Sequence, residues 1–440
     1  MVHNHIKIGK KTIPNLNLKQ DFESCTEIYT TLQCDINPQQ IINSNISTNY
    51  YKGLDQLIKN LQLNTTQHQY IEWIPYDRLT DIQFLGQGGF STVYSALWKD
   101  GEILKKDTDN DLEQPLRNGP RKVALKQLHN SQNMRPQFLS ELESSFYCNS
   151  DRIVHIYGIT QDPKTKDYMI VMHLFEQGNL RSYIRENSNK LTWIKKIEIL
   201  LDIARGIHSI HQTGLCHKNI HTGNLLYDND VVLISDLGVS GPADKLCDYN
   251  EAVGVIQYMA PEILRGKPYT KSADIYAFAI VMSELASERP PFVDSPHDKL
   301  MDLVYDLCDG YRPCIKSELP NCFKTLMFQC WDDDEFNRPH ARQLVDKLLE
   351  WYNEIRNNTY SEICLQFKTA DEHRQLRLKL PLYKYDIYKS RRVKTTDLGD
   401  DINFSGDGYY GYGNDFPSLL VHESGDSKLF IYYRFFVTTL

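Results

Sequence analysis

The chain has 440 residues, of which 41% are hydrophobic, and its formal net charge is −8, from 49 basic and 57 acidic residues. This length and apolar content suffice for one two-lobed domain, or for two domains with extensions. The acidic balance argues against a general nucleic-acid binder, which usually shows a basic excess or a clustered basic stripe. The densest basic run, Lys389 to Lys394, is short, and we interpret it as a solvated tail.

The ten cysteines are scattered and include no Cys-x-x-Cys pair, which argues against zinc ribbons and redox motifs. Cys25 and Cys34 are at most half of a metal site, because no matching pair follows them. We therefore expect reduced thiols in an intracellular protein, cytoplasmic or nuclear. The N-terminus lacks the apolar core of a signal peptide, and no stretch reaches the roughly 18 apolar residues of a membrane span.

Residues 1–78 are mostly polar and show no recognisable chemistry. The segment from Phe84 to Tyr94 contains glycines at positions 86, 88 and 89. Glycines let a hairpin bring its backbone N–H groups close to phosphate oxygens, with no side chain in the way. A plain hairpin turn or a dinucleotide-binding loop explains three glycines as well. The dinucleotide interpretation is disfavoured, because the residues after the loop alternate as a strand instead of opening a helix.

Residues 99–121 are charged and interrupted by Gly and Pro, which predicts a long connection between two strands. The apolar strand at residues 123–125 ends in Lys126, and a lysine that ends a buried strand requires an anionic partner. The helix predicted after it offers Glu141. The simpler alternative is a surface lysine and a surface glutamate that never meet.

Further strands are predicted at residues 153–156 and 168–172, and apolar residues at helical spacing predict a core helix over residues 191–211. We interpret His208 and His211 on this helix as solvent-facing or satisfied core residues and not as metal ligands.

Asn224 and Asp236 flank the apolar run Val231 to Ile234, which predicts a buried strand. Their side-chain oxygens can hold a hard metal ion. Magnesium takes one or two oxygen ligands from a protein and completes its shell with phosphate oxygens and water. Asn224 and Asp236 are therefore candidate ligands of a magnesium ion.

The stretches Cys216 to Leu226 and Ser235 to Gly238 resemble the catalytic loop and the metal-binding turn of protein kinases, His-Arg-Asp-x-x-x-x-Asn and Asp-Phe-Gly. The resemblance extends from about Asp81 to Tyr352. The residues of its motifs are similar to those of the tyrosine-kinase-like group, whose members generally phosphorylate Ser and Thr. It implies an α+β, two-lobed protein-kinase-like fold. The small lobe is expected to contain an antiparallel sheet plus one helix, and the large lobe to be mostly helical.

The resemblance also implies a division of the chain. We expect an N-terminal extension at residues 1–78 and a C-terminal extension at residues 354–440. Between them lies a kinase domain with a small lobe at residues 79–172, a hinge at residues 173–176 and a large lobe at residues 177–353. In the C-terminal extension, an amphipathic pattern predicts one more helix over residues 361–380, and the residues beyond it are predicted to be largely disordered.

ATP and Mg²⁺ are the cofactors that the resemblance implies, with Asn224 and Asp236 as metal ligands. Lys126 is implied to contact the α- and β-phosphates and Glu141 to hold it in position. A protein substrate or signalling partner is implied, and no nucleic acid. The residues implied to bind the nucleotide are Leu85, Gly86, Gly88, Gly89, Phe90, Val93, Ala124, Lys126, Met172, His173 and Phe175.

The family pattern further implies three scaffold contacts. His217 is expected to bind backbone near Asp236, Asp274 to clamp the backbone of the catalytic loop, and Arg338 to pair with Glu262. In active kinases the Arg of the loop often pairs with a phosphate on the activation segment. Here the position is Lys218, a point charge without the bidentate fork of arginine. Tyr249 is the only hydroxyl-bearing residue between Ser240 and Tyr258, so little control by activation-loop phosphorylation is predicted.

Asn219 stands where the family places the Asp that accepts the proton of the substrate hydroxyl. An asparagine orients a hydroxyl but cannot take its proton. The favoured hypothesis is a nucleotide-binding, kinase-like signalling protein with weak or lost phosphoryl transfer. An active Ser/Thr kinase that tolerates Asn219, with His221 as a substitute proton acceptor, and an interaction module without nucleotide are the alternatives.

Overall fold

The computed structural model describes residues 71–88, 91–105, 116–131, 142, 144–145, 148, 150–188, 190–242, 251–294, 300–315, 319–358, 360–375 and 391–394. The strands in chain order are β1 (Glu72–Trp73), β2 (Leu79–Gln87), β3 (Ser91–Trp98), β4 (Ile103–Lys105), β5 (Leu116–Arg117), β6 (Arg121–Leu128), β7 (Ile156–Gln161), β8 (Tyr168–His173), β9 (Leu215–Cys216), β10 (Leu225–Asp228), β11 (Val231–Ile234), β12 (Gly241–Pro242), β13 (Glu251–Gly254) and β14 (Arg391–Lys394). The α-helices are α1 (Leu180–Glu186), α2 (Trp193–Gln212), α3 (Pro261–Leu264), α4 (Lys271–Ser287), α5 (Leu300–Cys308), α6 (Asn321–Cys330), α7 (Ala341–Arg356) and α8 (Glu362–Gln375).

The small lobe is built on one sheet with the strand order β1-β7-β8-β6-β3-β2. Its neighbours pair antiparallel, except that β1 pairs parallel with β7. The sheet is therefore mixed at one edge, and not purely antiparallel as expected. Gly158 explains the close approach of β1, because a Cβ at this position would collide with the carbonyl oxygen of Glu72.

Two other expectations for the small lobe are refined. The connection at residues 99–121 contains a strand pair of its own, β4 with β5. The strand predicted at residues 153–156 begins only at Ile156, because Ile153 forms an isolated bridge to Ile234 of the large lobe. Leu142, Ser144 and Ser145 have helical backbone where the small-lobe helix was expected.

The large lobe is mostly helical and packs around α2 and α4. The helix predicted over residues 191–211 is α2, and the side chain of Thr192 caps it by accepting a hydrogen bond from the N–H of Lys195. Every residue of α4 from Ala273 to Ala286 is buried. A helix that is buried on all sides is central to the core, so the charged residues on α4 require partners inside the protein.

The C-terminal extension adds α8 to this core. The Phe367 ring of α8 lies 5.6 Å from the rings of both Trp193 and Trp351. The predicted helix at residues 361–380 is thus present as far as Gln375, and residues 376–380 lie outside the described part. No helix among the described residues has both the length and the apolar character needed to cross a membrane.

The basic run was expected to belong to a solvated, disordered tail, and this expectation is wrong for Arg391–Lys394. These residues form β14 and pair with β13, because the edge of β13 offers backbone donors and acceptors that an extended chain can use. The disorder expected from residue 395 onward concerns residues outside the described part.

Candidate active site

The hairpin of β10 and β11 brings Asn224 and Asp236 together. Its turn residues, Asn229 and Asp230, have φ values of 47° and 66°. Positive φ at both positions is typical of a type I′ turn, which Asn and Asp tolerate better than most residues. Asn224 and Asp236 lie just beyond the open end of the hairpin, and Nδ2 of Asn224 is 3.4 Å from Oδ2 of Asp236. The two predicted metal-binding side chains are therefore neighbours in space.

Asp236 also connects the two lobes through an ion pair. Nζ of Lys126, on β6 of the small lobe, lies 2.5 Å from its Oδ1. Burial raises the pKa of Asp236, but the positive charge of Lys126 and its hydrogen bond outweigh burial, and the pKa lies below the ordinary value. The carboxyl is therefore ionised at neutral pH, as a ligand of a hard cation must be.

Asp274 on α4 holds the backbone of the catalytic loop. Its Oδ2 accepts a hydrogen bond from the N–H of His217 at 2.8 Å, and its Oδ1 accepts one from the N–H of Lys218 at 2.9 Å. Its Oδ2 also lies 2.9 Å from Nε2 of His211. The structure thus contains the predicted clamp, and it places His211 as a satisfied core residue.

His217 is buried and uses both ring nitrogens inside the protein. Its Nε2 lies 3.0 Å from the carbonyl oxygen of Ser235, and its Nδ1 lies 3.2 Å from the backbone nitrogen of Asn219. A carbonyl accepts and an N–H donates, so a neutral ring with its hydrogen on Nε2 satisfies both contacts. Burial also lowers the pKa of His217. The residue links the catalytic loop to the backbone before Asp236, as expected.

Asn219 lies between Asn224 and the activation segment. Its carbonyl oxygen accepts a hydrogen bond from Nδ2 of Asn224 at 3.0 Å. A Cβ placed on Gly254, at the end of β13, would lie 3.2 Å from its Oδ1. The amide of Asn219 therefore occupies the turn beside the activation segment, and it carries no charge with which to take a proton.

His221 is buried below this loop. Its Nδ1 lies 3.1 Å from the N–H of Gly223, which donates to it, and its ring lies 5.8 Å from that of Tyr258. Burial, helped by the charge of Arg181, lowers the pKa of His221 to about 3. A buried ring whose Nδ1 already accepts a hydrogen bond is a poor candidate for taking the proton of a substrate hydroxyl. These contacts do not support the substitute role considered from the sequence.

Four residues that were expected to bind nucleotide lie on one face of the small-lobe sheet. Val93 on β3 pairs with Lys126 on β6, and Ala124 on β6 pairs with Met172 on β8. Directly paired residues of antiparallel strands share a face, as do residues two apart on one strand. Ala124 and Met172 are buried, so they form the floor of an apolar surface that ends at the Lys126 ammonium.

The described part of the glycine-rich segment ends β2 and begins β3. The N–H of Gly88 donates to the carbonyl of Ser91 at 2.8 Å, and a Cβ at Gly86 would meet open space. Leu85 is exposed on the same strand. Three residues of the predicted site lie outside the described part of the chain, namely Gly89, Phe90 and Glu141. The pairing of Lys126 with Glu141 stays a prediction.

The hinge follows β8. The N–H of His173 donates to the carbonyl of His155 at 3.3 Å, and the carbonyl of Phe175 accepts a hydrogen bond from the N–H of Gly178 at 3.1 Å. The other two backbone groups of these residues are the His173 carbonyl and the Phe175 N–H. Contact of this acceptor and this donor with the edge of a flat heterocycle stays a prediction.

Below the site, Arg338 and Glu262 form the expected ion pair. It is bidentate and buried, with N–O distances of 2.6 and 2.8 Å. Such a pair fixes two segments with defined geometry, because the guanidinium fork matches a carboxylate.

Glu284 is a buried residue of this region that sequence reasoning missed. Its Oε2 accepts hydrogen bonds from the hydroxyls of Thr222, at 2.9 Å, and of Tyr258. Burial raises the pKa of Glu284, against the opposing charge of Arg181. It joins the catalytic loop to the activation segment. The sequence signal that could have identified Glu284 is a carboxylate in a stretch of α4 that contains almost no other charged residue.

A lysine on a sheet face, an Asn and an Asp at the open end of a hairpin, and an Asp that holds the backbone of the preceding loop together define a protein-kinase-type domain. The family model described as protein tyrosine and serine/threonine kinase matches residues 79–348, and the chain belongs to this family.

Curated relatives agree with this assignment. "Probable serine/threonine-protein kinase gdt4" of Dictyostelium discoideum is 30% identical over 292 residues, covering 64% of this chain and 16% of its own length. From the same organism, "Probable serine/threonine-protein kinase roco7" is 25% identical over 309 residues, covering 68% of this chain and 11% of its own. The chain therefore spans less than a fifth of the length of these two relatives.

Proposed function

We propose that this protein binds ATP with Mg²⁺ in the cleft between its lobes and acts as a kinase-like signalling protein whose phosphoryl transfer is weak or lost. The observation that carries the proposal is the convergence of Lys126, Asn224 and Asp236 beside an uncharged Asn219. The charged partners for phosphate and metal are retained, and the proton acceptor is replaced.

The fit to the cofactors rests on the chemistry of these groups. Asp236 and Asn224 offer two adjacent oxygen-bearing side chains, as magnesium takes from proteins that also bind nucleotide phosphates. The bound metal would neutralise charge on the phosphates during transfer. Lys126 forms an ion pair with Asp236. We expect the Lys126 ammonium to turn to the phosphates when the Asp236 carboxylate binds the metal. Val93, Ala124 and Met172 would cover the adenine, with the hinge backbone at its edge.

The replacement at Asn219 sets the expected rate. Kinases typically turn over about 1–100 times per second. Removal of a general base costs about 10²–10⁴ in rate, and the buried His221 is badly placed to supply one. Slow or negligible transfer to a protein Ser or Thr is the expected consequence.

The test is Asn219→Asp, assayed by transfer of labelled phosphate from ATP in the presence of Mg²⁺. The variant should raise transfer by about 10²–10⁴, because it restores a carboxylate. Asn321→Asp makes the same chemical change at an exposed helix end and should leave transfer unchanged. Equal activity of wild type and Asn219→Asp would contradict the proposal.

A second candidate is an active Ser/Thr protein kinase that tolerates Asn219. It is favoured by the names of the relatives and by the intact contacts of Asp274, Arg338 and Glu262. Wild-type turnover within the usual range of about 1–100 per second would select it. An absence of ATP binding in both the wild type and Asn219→Asp would select the interaction module instead.

A further inference from the structure

The strand pair of β13 and β14 joins the activation segment to a part of the chain far away in sequence. Glu251, Ala252, Val253 and Gly254 pair antiparallel with Lys394, Val393, Arg392 and Arg391. These two strands form a sheet of their own. A two-stranded sheet of this length is only marginally stable by itself, so the pairing can be displaced.

The pairing lies directly beside Asn219. Gly254 has a φ of 154°, and a Cβ on it would lie 2.9 Å from Cε of Met259 as well as 3.2 Å from Oδ1 of Asn219. The backbone of β13 therefore approaches the catalytic loop closely at Gly254. Arg391 is the register partner of Gly254, and paired residues have Cα atoms roughly 4.5–5.5 Å apart. The end of β14 is consequently one strand spacing from the end of β13 that touches the catalytic loop.

An open pocket adjoins the same place. It is a shallow depression open to solvent, and Asn219, Gly254, Tyr258, Met259, Tyr269 and Ala277 are among the residues that line it. An extended chain on the edge of β13 thus passes both the catalytic loop and this depression.

Charge favours a basic occupant of this edge. The activation segment carries Asp244, Asp248 and Glu251 against a single base, Lys245, in residues 240–255. The run from Lys389 to Lys394 carries four bases and no acid. In the register of the pair, the acidic Glu251 stands opposite the basic Lys394, and opposite charges at facing positions stabilise paired strands.

We propose that Glu251–Gly254 is a docking edge for extended basic segments, and that Arg391–Lys394 of the same chain occupies it. The occupied edge lies where a protein substrate or partner segment would reach Asn219, so the chain competes with such a partner for its own site. This role as competitor rests on the proposed function, whereas the strand pairing itself does not. A segment in the same chain acts at an effective concentration on the order of millimolar, so a free peptide binds well only when β14 is disrupted.

The test uses the full chain and two double variants. Arg392→Pro with Val393→Pro removes two consecutive backbone donors, so at least one donor that faces β13 is lost. Arg392→Lys with Val393→Ile keeps charge, strand preference and backbone donors and is the matched control. Hydrogen exchange of the amides of Glu251–Gly254, measured without nucleotide, should be at least tenfold faster in the proline variant and unchanged in the control.

A second measurement adds a synthetic peptide with the sequence of residues 389–396, followed by fluorescence anisotropy. Its Kd should be at least tenfold lower for the proline variant than for wild type, and a scrambled peptide should not bind. Equal exchange in all three proteins, or equal peptide affinity, would overturn the docking edge. Because neither readout involves ATP, a failure here is distinct from a failure of Asn219→Asp to transfer phosphate.

Discussion

At the scale of single residues, burial decides the charge state of the groups around Asn219. His217 and His221 are both buried, and their neutral rings accept backbone N–H groups at Nδ1. Lys126 and Asp236, in contrast, form an ion pair in which each charge stabilises the other. Opposite charges are therefore present where phosphate and metal would bind.

His221 gives this arrangement a pH dependence. Its pKa is about 3 in the folded protein and about 6.5 in an unfolded chain. The unfolded state binds more protons between these values, so the free energy of unfolding is unaffected above pH 6.5 and falls as the pH drops below it. Between pH 7 and pH 5 the free energy of unfolding of the wild type should fall by about 1–2 kcal/mol more than that of His221→Asn.

Urea unfolding over this pH range measures the effect. His373→Asn, at an exposed position of α8, is the control and should follow the wild type. Parallel pH profiles of wild type and His221→Asn would contradict the neutral, buried state of the ring.

Residues of the site were predictable from the sequence where neighbours along the chain identify them. Asn224, Asp236 and Asp274 each stand in a short motif, and the structure gives each a contact that fits. Glu284 and the pairing of Lys126 with Asp236 were missed, because both depend on contacts between segments far apart in sequence.

At the scale of elements, α4 supports the catalytic loop from below. The carboxylate of Asp274 accepts hydrogen bonds from two backbone N–H groups of that loop. In Asp274→Asn, one carboxylate oxygen becomes an NH₂ group that faces a backbone N–H donor. At least one hydrogen bond to a charged group is therefore lost, which should lower the free energy of unfolding by about 1.5–3 kcal/mol. Chemical denaturation measures this value.

Asp346→Asn is the matched control for this variant. Asp346 forms an exposed pair with Arg342 on α7, and such surface pairs contribute about 0–1 kcal/mol. If Asp274→Asn were no more destabilising than Asp346→Asn, the clamp would not hold the loop.

Elements with a periodic pattern were predictable, and paired edges were not. Apolar spacing identified α2 and α8 before the structure showed them. The strand β14 has only four residues, and its partner β13 is far away in sequence. No local pattern of that length indicates a strand, and so the same residues read as a solvated tail.

At the scale of the molecule, an ion pair at the site joins the two lobes. Lys126 belongs to the sheet of the small lobe, and Asp236 follows a hairpin of the large lobe. A triphosphate with its metal would place negative and positive charge between these two groups. Nucleotide binding should therefore stabilise the whole domain, by about 2.7 kcal/mol when ATP is at 100 times its Kd.

Calorimetric titration of the full chain with ATP and Mg²⁺ is the most direct test of this central claim. Lys122 lies on the same strand as Lys126 and forms an exposed pair with Glu176, so Lys122→Met is the matched control for Lys126→Met. Wild type and Lys122→Met should give heat that disappears with EDTA, and folded Lys126→Met should bind at least tenfold more weakly. No heat from well-folded wild type would contradict the claim.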